Sequence, residues 1–210
     1  RRYDLNTLTG LDMFLSYWSG PQMAHVLMSF GFEDGRYLAW SAEVRRSKGG
    51  AFSPVADFFK NSPLVLIAAD ERDIVRLRTN VRGEDVRLYR LATSPGNARK
   101  LLLEYVDDAN ALAERPRFYN SIITNCTTVI VKMMRAAGGR IPFDWRLIVN
   151  GYLPGYAYDM GALDRRMSLA ELQSRARINE MAHAADDAAD FSRLIRNGVP
   201  SPRDDARPAP

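Results

Sequence analysis

Two β-prone runs flank Glu33-Asp34-Gly35, and this arrangement restricts the fold more than any other stretch of the chain. Ala24 to Phe32 and Arg36 to Val44 are rich in strand-forming residues, and an Asp-Gly step between such runs predicts a β-hairpin. A hairpin fixes register, and register fixes which side chains share a face. If Glu33-Asp34-Gly35 forms a three-residue loop with Gly35 left-handed, Phe32 pairs with Arg36. Counting outward along the strands then sets His25 opposite Glu43. Directly opposed residues have Cβ atoms roughly 5 Å apart, so Glu43 can accept from one imidazole nitrogen. If Asp34-Gly35 instead makes a two-residue turn, the register slips by one and Glu43 turns to the other face.

The rest of the chain predicts an α+β domain: an antiparallel sheet of about five strands with helices packed mainly on one side. Leu64–Ala69, Ile74–Arg78 and Asp85–Ala92 read as further strands. Leu5 to Trp18 places Leu8, Leu11, Phe14, Leu15 and Trp18 at helical spacing, which predicts a helix. Phe52, Val55, Phe58 and Phe59 suggest a short amphipathic helix. Ser94-Pro95 is a strong helix start, with serine as N-cap and proline at the first helical position, and the helix should reach about Glu114. Cys126 opens another helix that stops at Gly138-Gly139. Asp144 to Tyr158 reads as a loop or short helices. Ser168-Leu-Ala-Glu171 is a capping box, and a polar alanine-rich segment runs on as helix to Asn197. The expected organisation is one domain over 1–197, with 198–210 as a disordered tail.

Composition narrows the function classes. The 29 basic and 25 acidic residues are interspersed, as in Asp70-Glu71-Arg72-Asp73, which reads as a solvated surface. No aromatic-plus-basic RNA motif, zinc spacing or phosphate-cradling glycine loop is present, so neither nucleic acid, a metal nor a cofactor is expected. One cysteine excludes an intramolecular disulfide and a thiolate cluster. No stretch approaches the roughly 20 apolar residues needed to cross a bilayer. The chain opens on Arg1-Arg2, and a targeting or membrane-anchoring segment is expected before it.

The chemistry centres on Cys126. A thiol at a helix N-terminus faces unpaired N–H groups and the positive end of the dipole, both of which favour thiolate. His25 is one of two histidines. His183, among Met, Ala and Asp, is expected to face solvent. Cys126 as nucleophile, His25 as base and then acid, and Glu43 as the group orienting the imidazole make a triad. Each also has a plainer use: a buried inert cysteine, a core histidine, and a surface ion pair of Glu43 with Arg45 or Arg46. Trp145, Tyr152, Tyr156 and Tyr158 suit either an acyl groove or ordinary packing.

The runs Leu11-Asp-Met-Phe-Leu-Ser-Tyr-Trp18, Phe30-Gly-Phe-Glu-Asp-Gly-Arg-Tyr-Leu38, Ala69-Asp-Glu-Arg-Asp-Ile-Val-Arg-Leu-Arg-Thr-Asn80 and Phe118-Tyr-Asn…Asn125-Cys-Thr-Thr128 resemble the Lnb N-terminal periplasmic domain family. The likeness covers roughly Tyr3 to Asn197. That family is named for a bacterial lipoprotein N-acyltransferase and is similar in outline to circularly permuted papain-like (NlpC-type) thiol proteins. The resemblance implies a periplasmic, membrane-associated protein with Cys126 as nucleophile and His25 as base. The Cys126 N–H and the Asn125 side chain would hold an oxyanion. Expected substrates are a lipid, lipoprotein or peptide, with a membrane surface as the neighbour of the full-length protein. The resemblance carries the two reacting residues, whereas Glu43 comes from register. The readings left open are acyl transfer, a peptidase or cell-wall amidase on the same dyad, and a non-catalytic envelope-binding domain.

Overall fold

The hairpin dominates the architecture. In the computed structural model, which describes residues 1–18, 20–44, 62–116, 118–119, 126–136 and 139–202, β2 (Ala24–Phe32) pairs antiparallel with β3 (Tyr37–Val44). The ladder sets Gly31 against Tyr37 and Leu27 against Ser41. Phe32 N–H donates to the Arg36 carbonyl at 3.0 Å, and Gly35 sits at φ +78°. This is the three-residue loop; the paired ladder ends at Leu27 and Ser41, and the same register carried two residues further sets His25 opposite Glu43. Only glycine adopts the left-handed turn position without strain.

The hairpin is extended on both sides. β1 (Leu8–Tyr17) lies beside β2, and β5 (Asp85–Arg90) lies outside β1. β4 (Ser62–Asp70) flanks β3, and the two-residue β6 (Phe118–Tyr119) adds to β4. The spatial order is β5-β1-β2-β3-β4-β6, antiparallel throughout.

Two elements correct the sequence reading. Leu8–Tyr17 is a strand where helical spacing was expected. β1 is a central strand buried on both faces, with Leu11, Met13 and Leu15 on one and Asp12, Phe14 and Ser16 on the other. Such a strand loses clean alternation, and its apolar residues can mimic a helical period. Ile74–Arg78, expected as a strand, belongs instead to α1 (Glu71–Arg76) and the π-helical turn Leu77–Val81 that continues it. Asp70 caps α1, accepting from the Arg72 N–H, while Glu71 and Asp73 complement the helix dipole. The charge run expected to be solvated is therefore a helix start, and Glu71 is fully buried.

Helices cover both faces of the sheet, not mainly one. On one face α2 (Pro95–Glu114), α3 (Cys126–Ala136) and α4 (Leu153–Asp159) pack with Val26, Met28, Phe30 and Trp40. On the other, α1, α6 (Asn179–Ala185) and α7 (Phe191–Leu194) enclose Phe14, Leu27, Ala39, Val86 and Leu88. The expected starts of α2 and α5 (Leu169–Arg175) hold: Ser94 accepts from the Asn97 N–H, and Ser168 from the Glu171 N–H. The packed chain runs beyond Asn197, since Val199 and Ser201 are buried and the Ser201 carbonyl accepts from Arg166 at 2.9 Å. The amphipathic segment Phe52–Phe59 lies outside the described residues, as does 203–210.

Candidate functional site

The end of the hairpin away from Gly35 carries polar side chains on one face. His25 is the second residue of β2, and Ser41 and Glu43 lie two residues apart on β3, so strand alternation turns them the same way. His25 Nε2 lies 2.6 Å from Ser41 Oγ and 3.1 Å from Glu43 Oε1. Ser41 Oγ donates to the same Glu43 oxygen at 2.7 Å. The expected pairing of His25 with Glu43 is therefore present, with the Ser41 hydroxyl bridging the same two atoms alongside it.

This arrangement specifies a tautomer. Ser41 has one hydroxyl hydrogen, and the Glu43 carboxylate, which only accepts, takes it. Ser41 must then accept from His25, so Nε2 of the neutral ring carries the proton and Nδ1 carries the basic lone pair. Burial pushes the Glu43 pKa up, but the hydrogen bond to His25, the charges of His25 and Arg78, and the Ser41 hydroxyl overcome it. The net result holds Glu43 well below the usual carboxylate range.

Two residues that sequence reasoning missed complete the cluster. Arg78, on the π-helical turn after α1, places Nη2 2.7 Å from Glu43 Oε1 and Nη1 3.0 Å from Glu84 Oε2. Its side chain is 5% exposed, against 28% for Glu43 and 14% for His25. Glu84 also accepts from Ser16 of β1, the residue paired with His25 across the sheet. The expected partners Arg45 and Arg46 lie outside the described residues, and the ion pair observed for Glu43 is to Arg78. No local motif announces Arg78, because its role arises only when the α1 turn folds over the strand ends. His183 is exposed on α6, as expected.

Cys126 stands at the first residue of α3, as the sequence predicts. Asn125 and the Cys126 side chain lie outside what is described. His25 shares the sheet face of Leu27, while α3 lies over the other face, with Ile130 in the cluster of Val26 and Met28. The two elements meet at the start of β2 through Asn150, which is buried. Its Oδ1 accepts from the Ala24 N–H at 2.9 Å, and its Nδ2 donates to Thr127 Oγ1 at 3.0 Å. The residue before His25 and the residue after Cys126 are thus held by one side chain. Gly151 extends the junction: its N–H donates to the Gln22 carbonyl, and its carbonyl accepts from Tyr17 Oη. A Cβ at Gly151 would lie 2.1 Å from the Pro21 carbonyl oxygen, so only glycine fits this approach.

The aromatic group divides. Tyr156 is buried and donates to the Pro142 carbonyl, and Tyr158 donates to the Met167 carbonyl. Trp145 and Tyr152 contact one another at 5.3 Å between ring centroids and are exposed, together with Phe143 and Ile148. No helix among the described residues is long and apolar enough to cross a membrane.

No curated protein and no solved structure matches the chain. Residues 1–151 match the Lnb N-terminal periplasmic domain. That span takes in the hairpin, Arg78, Glu84, the start of α3 and Asn150, and the chain belongs to the Lnb N-terminal periplasmic domain family.

Proposed function

We propose that this domain is a cysteine-dependent acyl-transfer enzyme of the bacterial envelope, with Cys126 as nucleophile and His25 as base. The observation that carries the reading is the hydrogen-bonded series Glu43–Ser41–His25, which fixes Nε2–H and turns Nδ1 into the proton acceptor. The Asn150 tie supports it by holding the start of α3 at the same strand end.

In this reading His25 Nδ1 takes the Cys126 thiol proton, and the thiolate attacks an ester or amide carbonyl. The carbonyl π electrons move to oxygen, where the Cys126 N–H and the Asn125 side chain receive them. Collapse breaks the bond to the leaving alcohol or amine, and the imidazolium returns the proton to it. A thioester on Cys126 remains. An amine, or water, then attacks it while His25 takes the incoming proton and passes it to the departing thiolate. Glu43 keeps the ring oriented and stabilises the imidazolium formed twice per turnover. With a phospholipid donor and an amine acceptor, this is lipoprotein N-acylation. The exposed Trp145 and Tyr152 offer apolar surface for an acyl chain. A permuted papain-like order belongs to the same reading.

The test is intact-protein mass spectrometry after incubation with short-chain acyl esters and with phospholipid vesicles. The reading expects one hydroxylamine-labile acyl adduct, absent from Cys126→Ala. Peptide cleavage without acyl transfer from lipid would favour a peptidase. No adduct from any ester or amide would leave an envelope-binding domain.

A further inference from the structure

Arg78 is the one cation buried directly against the acid partner of His25 among the described residues. Its two terminal nitrogens go to different carboxylates, Glu43 at 2.7 Å and Glu84 at 3.0 Å, and so bridge the end of β3 to the residue before β5. A guanidinium can make this bridge because its donors are fixed in a plane, whereas a lysine amine is a single point of charge. The π-helical turn matters here. Its wider ladder, with the Arg82 N–H reaching the Leu77 carbonyl, places Arg78 under the sheet and lets Arg82 lie 3.6 Å from Glu84 at the rim.

We propose that Arg78 is a positioning residue that clamps Glu43 on the Nε2–H side of His25, fixes the ring's tautomer through Ser41, and opposes with its own charge the hold of Glu43 on the imidazolium proton. Glu43 alone would favour a charged histidine. Arg78 lies a short way behind the same carboxylate oxygen and works against that charge, so the ring remains available as a base near neutral pH. Among the described residues, the charged groups placed around the ring are Glu43 from β3, Arg78 from the π-helical turn, and Glu84 with Arg82 from the turn before β5. β1 contributes the uncharged Ser16. The inference stands on His25 and its neighbours alone and requires no reaction at Cys126.

The test is long-range nitrogen–proton NMR of the imidazole, with the other histidine removed as His183→Gln. In otherwise wild-type protein, the neutral His25 ring should carry its proton on Nε2. In Arg78→Met the titration midpoint should rise by about one pH unit and the tautomers should mix. In Arg78→Lys the midpoint should stay within about 0.3 unit while the tautomers still mix, because the charge remains and the fork is lost. A wild-type ring protonated on Nδ1 overturns the proposal, as does a folded Arg78→Met with an unchanged midpoint and tautomer. Should Arg78→Met fail to fold, the wild-type tautomer and Arg78→Lys decide. Failure of acyl-enzyme formation leaves these results untouched, so the two readings fail separately.

Discussion

Two clusters of buried charge share one face of the sheet, separated by the apolar layer of Phe14, Leu27 and Ala39. At one end, Arg196 from the C-terminal segment reaches Asp12 and Glu71 with four hydrogen bonds of 2.7–2.9 Å and also donates to the Ser192 carbonyl. Its guanidinium also lies over the Tyr37 ring at 3.4 Å. At the other end stand Arg78, Glu43, Glu84 and His25. Both have an arginine between two acids, and both have a serine on an adjacent strand donating to a glutamate, Ser29 to Glu71 and Ser16 to Glu84. They differ in closure. Asp12 and Glu71 are at most 2% exposed, whereas Glu43 is 28% exposed and shares its charge with a titratable ring. The closed cluster fastens the C-terminal segment to the sheet. The open one spends the same chemistry on keeping a histidine oriented within reach of solvent.

The largest effect expected from breaking this comparison is at the closed end. Arg196→Met leaves Glu71 with the Ser29 hydroxyl and Asp12 with the longer 3.6 Å pair to Arg90, and should cost about 3–5 kcal/mol in urea unfolding. The His25 titration should not move, because the apolar layer lies between. Asn150→Ala should come next: the Ala24 N–H and Thr127 lose a buried partner, for about 2–3 kcal/mol. Unlike Arg196→Met, it should also slow Cys126 alkylation, since it loosens the junction of β2 with α3.

Glu43→Gln should cost about 1–2 kcal/mol at neutral pH, and the loss should depend on pH. Glu43 is held below the usual carboxylate range by His25, Arg78 and Ser41 against the opposing effect of burial. The unfolded chain takes up this proton near pH of about 4.3, and the folded chain only below that. The stabilisation is thus complete above the unfolded value and is lost as pH falls toward the folded one. The stability gap between wild type and Glu43→Gln should therefore shrink as pH falls below about 4.3. A gap that widens would contradict the assignment. The smallest expected effects are those of Ser29→Ala and Ser16→Ala, each about 1 kcal/mol. Only Ser16→Ala should disturb the His25 titration, by about 0.2–0.3 unit, through Glu84 and Arg78.

The open cluster was partly legible in the sequence, and the reason is local. Gly35 fixed the turn, the turn fixed the register, and the register put His25 opposite Glu43. The helix starts at Ser94 and Ser168 were legible for the same reason, since a cap and its acceptor lie within one turn. β1 was not, because a strand buried on both faces presents Leu and Phe without regard to side. Its buried Asp12 and Ser16 find their partners far along the chain. Arg78, Glu84, Asn150 and Arg196 were missed on the same grounds. Each matters through a contact that exists only once remote elements pack, and an arginine that will be buried is written no differently from one that will be solvated.

If the oriented His25 serves the thiol at the start of α3, removing the ring must change how that thiol reacts. The most direct test is the pH dependence of Cys126 alkylation by iodoacetamide in wild type and His25→Ala. The account predicts a thiolate reacting well below the reference value of about 8.5, with that reactivity lost in His25→Ala. A Cys126 that reacts identically in both proteins, or only after unfolding, would contradict it and leave the open cluster as a structural counterpart of the closed one.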